Sequence, residues 1–132
     1  MREYFADTWF FVARIDRFDS HHQRARRMDL AGVELVTHDH VLSEVLSFFS
    51  DAGATMRQRA AGAVRQALAG ITVINADDTL FKRALTLYEA RPDKEYSLVD
   101  CMSMIVMRDR GVTEVLSNDH HFSQEGFTLV NA

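Results

Sequence analysis

The chain has a single cysteine, Cys101, in 132 residues. An internal disulfide is therefore excluded, and no Cys-x-x-Cys pair is present for structural zinc or thiol redox chemistry. Only one proline, Pro92, and six glycines punctuate it. No repeat, linker or low-complexity stretch divides it, so residues 1–132 are expected to form one domain. No apolar run approaches the roughly 18 residues needed to cross a bilayer. The apolar stretch from Tyr4 to Ala13 carries Asp7 and lacks both a basic lead and a cleavage site, so it does not read as a signal peptide. These absences point to a cytoplasmic protein with no membrane partner. Charge of one sign is also in short supply: 15 Lys+Arg stand against 19 Asp+Glu, a net of −4. That balance argues against coating nucleic acid through bulk positive charge. It does not argue against meeting nucleic acid through a metal held by carboxylates.

What is present supports a packed core. Hydrophobic residues make up 47% of the chain and charged residues 26%, both values of an ordinary globular domain. Short β-type runs, rich in Val, Ile, Leu, Phe and Tyr, fall at Glu3–Ala6, Val33–Thr37, Ile71–Asn75, Glu114–Ser117 and Phe127–Val130. Helical periodicity fills the intervals. Val41, Val45, Phe48 and Phe49 are expected on one helix face, as are Leu80, Ala84, Leu87 and Tyr88, and Leu98, Met102, Ile105 and Val106. Gly32, Gly53, Gly70 and Gly111 each follow a helical segment and are expected to close it in a left-handed conformation. Repeated β–α–β alternation predicts an α/β protein with a mostly parallel sheet covered by helices on both faces. Ligands of such folds bind outside the carboxyl ends of the strands.

Four acids stand where that rule directs attention. Asp7 directly follows the first run, where, taken alone, it reads first as a helix N-cap. Glu44 stacks with Val41 and Phe48 and is expected beside the core-facing stripe, where a carboxylate needs an arginine or a metal. Asp100, in Ser97-Leu98-Val99-Asp100, fits a capping box, yet its neighbours Leu98, Val99 and Cys101 predict a helix buried nearly all round. Asp119 follows the fourth run in Ser117-Asn118-Asp119, which also reads as an Asn-Asp turn. Each has an ordinary structural reading. Four carboxylates on one sheet edge cannot all ionise unaided and call for a divalent cation, and oxygen donors favour Mg²⁺ or Mn²⁺ over zinc.

The remaining polar groups carry less. Arg24, Arg26 and Arg27, then Arg57, Arg59 and Arg65, then Arg108 and Arg110 form three basic clusters, each expected as a solvated helix face. The pairs His21-His22, His38/His40 and His120-His121 lack the convergence of a zinc site and are expected at the surface or hydrogen-bonded, the last pair near the acids. No Ser/His/Asp set for nucleophilic catalysis stands out.

Taken in order, Asp7-Thr8, Val41-Leu42-Ser43-Glu44-Val45-Leu46, Ser97-Leu98-Val99-Asp100-Cys101 and Ser117-Asn118-Asp119-His120-His121-Phe122 resemble the four motifs of PIN-domain ribonucleases. VapC-like toxins of toxin–antitoxin pairs are the subset most similar. The resemblance implies a three-layer α/β/α sandwich around a parallel sheet of about five strands. It also implies Asp7, Glu44, Asp100 and Asp119 as catalytic metal ligands, with Ser117 and Thr8 in support. From it follow Mg²⁺-dependent cleavage of RNA phosphodiesters (Mn²⁺ able to substitute), a cognate antitoxin laid into an apolar groove, and a homodimer. Trp9 departs from the family's usual small polar residue. It also stands where a haloacid-dehalogenase phosphatase, the runner-up enzyme, would need a second aspartate, which counts against that alternative. An RNA-processing nuclease outside toxin–antitoxin systems, or a module that has lost catalysis, stays open. Without the four acids the tally is 19 − 4 = 15 against 15 Lys+Arg, so the whole charge excess equals the proposed ligands.

Overall fold

The computed structural model describes residues 2–130. Its strands are β1 (Arg2–Ala6), β2 (Val33–His38), β3 (Thr72–Ile74), β4 (Glu114–Leu116) and β5 (Thr128–Leu129), each within one residue per end of the run expected for it. All pair in parallel, in the order β3-β2-β1-β4-β5. The helices are α1 (Thr8–Ile15), α2 (His22–Arg27), α3 (Asp39–Phe48), α4 (Ala54–Gly70), α5 (Asp78–Ala90), α6 (Leu98–Arg110) and α7 (His121–Gln124).

Strand alternation explains the two covering layers. Phe5, Val36 and Val115 face a core shared with Leu80, Ala84 and Leu87 of α5 and Met102, Met104 and Val106 of α6. Tyr4, Ala6 and Leu116 face the opposite way, onto Phe10 of α1. A third cluster joins Val12 and Ile15 of α1 to Val45 and Phe49 at α3 and Ala60 of α4. A sheet apolar on both faces must be covered on both, and the result is the α/β/α sandwich. Helix α6 buries Cys101, Met102, Ser103, Met104, Val106 and Met107, which matches the expectation of a helix enclosed nearly all round.

Helix α3 departs from its expected face. Val45 and Phe49 dock onto α1 and α4, which pulls the buried arc to one side of Val41. At about 100° per residue, Glu44 and Phe48 then lie on the other side. Phe48 is 57% exposed and Glu44 is exposed. Tyr88 of α5 is exposed for the same reason, about 80° round from Leu80. Of the four glycines only Gly111 closes a helix in the left-handed conformation expected. Gly32 and Gly53 have positive φ but lie in the turn before β2 and at the N-cap of α4, and Gly70, the last residue of α4, has no positive φ. Gly111 ends α6 at φ 68°, ψ 25°, a left-handed turn that any Cβ would strain.

The layers are pinned by a buried histidine. His38 ends β2 fully buried and caps α3, its Nδ1 accepting from the Val41 N–H at 3.3 Å. Nε2 therefore carries the proton and donates to Ser103 Oγ on α6 at 2.9 Å, and Ser103 donates to the Val99 carbonyl at 3.0 Å. Burial, with His40 nearby, lowers its pKa to about 4. The unfolded chain therefore binds the proton more readily between pH 6.5 and 4, and His38 costs stability as pH falls through that window. The stability of the wild type minus that of His38→Asn should rise from pH 4 to 6.5, by up to about 1.4 kcal/mol per pH unit, and then level off. Urea denaturation across that range measures it; a flat difference would refute the buried, neutral assignment.

Candidate active site

Strand order reverses beside β1: the chain steps from β1 to β2 on one side and later returns to place β4 on the other. The crevice at the carboxyl ends of β1 and β4 is the topological switch point. Ala6 pairs with Leu116, so Asp7 and Ser117 emerge side by side. The Asp7 N–H donates to the Leu116 carbonyl at 3.3 Å. The buried Ser117 hydroxyl donates to Asp7 Oδ2 at 2.9 Å and accepts from the Asp119 N–H at 3.0 Å. One hydroxyl thus sets the positions of both acids.

Asp100 reaches the same crevice from the first turn of α6. Its capping box is fully formed: Asp100 N–H donates to Ser97 Oγ and Ser97 N–H donates to Asp100 Oδ2, both at 3.0 Å. The cap also fixes the carboxylate's direction. Asp119 forms the expected turn, its Oδ1 accepting from the His121 N–H at 3.0 Å. His121 Nδ1 lies 3.1 Å from both Asp100 Oδ2 and Asp119 Oδ1. Asp100, Asp119 and His121 offer one donor atom each within 4.8 Å of one another.

Asp7 and Glu44 are outside that set of three. Asp7 holds the N-cap position of α1 without a side-chain capping bond, so its carboxylate is turned to Ser117 instead. Burial is the main cause of its pKa rising to about 7; Asp100 and Glu44 push the same way, against the Thr8 N–H and Ser117. Asp100 is also raised, chiefly by burial and then by Asp119, with the Ser97 N–H and His121 opposing. Glu44 is not on the core-facing side expected for it. It lies exposed and accepts from Thr8 Oγ1 at 2.7 Å, which ties it to the first residue of α1, next to Asp7.

Sequence reasoning missed how His121 is held. Tyr96 is buried and sets its ring edge-on to His121, centroids 5.5 Å apart. The Tyr96 hydroxyl donates to Glu125 Oε1 at 3.2 Å, and Arg91 and Arg108 bond the same carboxylate at 2.6 and 2.5 Å. Burial alone would raise the pKa of Glu125, but the two arginines hold it below the usual range. Burial and Glu125 together push the Tyr96 phenol up to about 12. No local motif joins these residues, since Arg91 and Glu125 are 34 positions apart. Arg108 and Arg110, expected as a solvated pair, are instead engaged with Glu125 and Glu3.

Two concavities adjoin these elements. A polar cavity of about 190 Å³ opens beside His121, lined by Asp93, Lys94, Glu95, His120 and Gln124. A larger groove of about 520 Å³ runs between α1 and α4, with Phe10, Phe11, Ile15 and Ala63 among its apolar lining and Arg14 and Arg59 beside them.

Residues 4–127 match the PIN domain family. The chain is 30% identical over 128 residues to the 23S rRNA-specific endonuclease VapC20 of Mycobacterium tuberculosis, strains CDC 1551 / Oshkosh and H37Rv, covering 96% of each protein. The crystal structure of M. tuberculosis VapC20, a sarcin–ricin loop cleaving toxin, superposes with TM-score 0.85 at 27% identity, covering 97% of this chain and 98% of that one. VapBC2 from Rickettsia felis, solved with a promoter DNA fragment, shares the fold alone: TM-score 0.70, 12% identity, 98% of each chain. The chain belongs to the PIN-domain family, among its VapC-like endonucleases. It is accordingly a nuclease, a hydrolase of phosphodiester bonds.

The site fits a divalent cation on its own chemistry. Carboxylates that raise one another's pKa, beside an imidazole at matching distance, are a donor set lacking positive charge. The metal-free protein bears that cost. Because the folded pKa of Asp7 is raised, its contribution is fully present below pH 4 and is lost as pH rises through about 7. Asp7→Asn keeps an acceptor for Ser117 and removes the buried charge. In EDTA at pH 8 this variant should melt several degrees above the wild type, and the gap should close at pH 4. Equal melting temperatures at pH 8 would refute the assignment.

Proposed function

We propose that the protein is a metal-dependent endoribonuclease, the toxin of a toxin–antitoxin pair. The convergence of Asp100, Asp119 and His121 beside Asp7, at the switch point of a PIN fold, is the observation that carries this reading. Asp7, Asp100 and Asp119 would hold Mg²⁺, or Mn²⁺ in its place, and Glu44 would serve from the solvent side. Such an ion acidifies water and offsets charge that develops on a phosphodiester under attack. Ser117 keeps Asp7 and Asp119 in register, and the Ser97 cap keeps Asp100 aimed at them. Thr8 restrains the exposed Glu44 carboxylate. Lys94 and His120, in the adjoining cavity, offer donors to a flanking phosphate or base. The first RNA to test is 23S rRNA, the substrate named for the M. tuberculosis relatives; the protein would meet it in the cytoplasm.

Asp100→Asn retains an acceptor for the Ser97 N–H, so the variant should melt close to the wild type. RNA cleavage should fall by at least about 10²-fold. EDTA should silence the wild type and added Mg²⁺ restore it. Cleavage by Asp100→Asn at the wild-type rate, or in EDTA, would sink the metal mechanism.

The α1–α4 groove suits an antitoxin segment with apolar side chains and acidic residues for Arg14 and Arg59. Expression in bacteria should arrest growth, and the product of the adjoining reading frame should relieve the arrest. Arg14→Glu with Arg59→Glu should defeat the relief while the arrest persists. An RNA-cleaving protein that never arrests growth would instead be a nuclease outside toxin–antitoxin systems.

A further inference from the structure

We propose that His121 is a nitrogen ligand of the cation, bound through Nδ1, and that it turns the site's preference from Mg²⁺ toward first-row transition ions such as Mn²⁺. This rests on the metal-dependent reading above and adds a donor of a different kind to its carboxylates.

Geometry is the first support. Adjacent ligands of an octahedral ion, each about 2.1 Å from it, sit about 3 Å apart. His121 Nδ1 lies 3.1 Å from Asp100 Oδ2 and 3.1 Å from Asp119 Oδ1, the separations that neighbouring ligands require. An ion can enter with little movement of the three groups. In the metal-free protein Nδ1 carries the proton it donates to the carboxylates, so an ion bound there takes that proton's place and Nε2 becomes the protonated ring nitrogen.

Restraint is the second support. The backbone of His121 is bonded to Asp119, the acid its ring approaches, so main chain and side chain converge on one point. Tyr96 fixes the ring from the side, and Glu125, held by Arg91 and Arg108, fixes Tyr96. Ligating histidines are oriented by such supporting shells, and loss of support commonly weakens metal binding about 10–100-fold. His120 lines the same cavity but is not in the set of three donors.

Chemistry then sets the preference. Mg²⁺ favours oxygen and binds imidazole poorly, whereas affinity for nitrogen rises along the first transition row. One imidazole among carboxylates therefore changes selectivity more than it changes the overall capacity to bind.

Mn²⁺ is the probe, because its electron spin reports directly coordinated nitrogen. Pulsed EPR of the full-length protein loaded with Mn²⁺ should show a strongly coupled ¹⁴N. Uniform [¹⁵N]histidine labelling should convert that signal to ¹⁵N without any mutation. In His121→Gln the coupling should vanish, while His120→Gln keeps it. By titration, His121→Gln should weaken Mn²⁺ on the order of tenfold and Mg²⁺ much less. Mn²⁺ bound without coupled nitrogen, or coupling that survives in folded His121→Gln, overturns the role of His121 and leaves the carboxylate site standing. No Mn²⁺ bound by the wild type overturns the metal reading and this inference with it.

Discussion

Carboxylates repel one another, and withdrawal from water makes each harder to ionise. Asp7, Asp100 and Asp119 are nevertheless brought to one crevice, with Asp7 only 8% exposed and its pKa raised to about 7. Much of the surrounding structure serves to hold that arrangement. Ser117 gives its hydroxyl to Asp7 and accepts from the backbone of Asp119. The α6 cap aims Asp100, and His121 spans Asp100 and Asp119. A fold built only for stability would not gather these charges; one built for a divalent cation has reason to.

Rigidity around the crevice comes from polar groups satisfied in depth. His38 joins the end of β2, the start of α3 and the middle of α6 through Val41 and Ser103. Glu125 joins α5's end, α6 and the loop after α7 through Arg91, Arg108 and Tyr96. Both networks lie next to elements that carry site residues. A partly satisfied network there would loosen the acids it supports, since small errors of position are costly in sites that stabilise charge. The apolar groove along α1 lies apart from this machinery, yet α1 also begins at Asp7 and Thr8. A segment seated in the groove would therefore press on the helix whose first turn borders the site.

The sheet and most helices were legible because their signals are local. Short runs of β-type residues marked all five strands, and Leu80, Ala84 and Leu87 marked the buried side of α5. Asp7, Asp100 and Asp119 were legible through position, each just past a strand or at a helix start, although each also had an ordinary structural reading. For Asp100 and Asp119 the structural reading is correct, and the cap and the turn are also what bring the two carboxylates to one crevice. Glu44 was misplaced because its helix turns toward α1 and α4 through Val45 and Phe49, contacts that no window of sequence contains. Gly70 does end α4, but not in the left-handed conformation expected: α4 runs through it in helical backbone and β3 begins two residues later.

By itself the sequence determined the α/β class, the parallel sheet and the set of acids, together with the family whose motifs they resemble. These follow from side-chain periodicity and from residues adjacent along the chain. Tertiary structure decided which donors actually meet. His121 approaches Asp100 across 21 positions and Tyr96 reaches Glu125 across 29. Such distances close only when β4 pairs beside β1 and α6 packs beneath them. The imidazole between the carboxylates is a product of that packing, and with it the donor set changes from oxygen alone to oxygen and nitrogen.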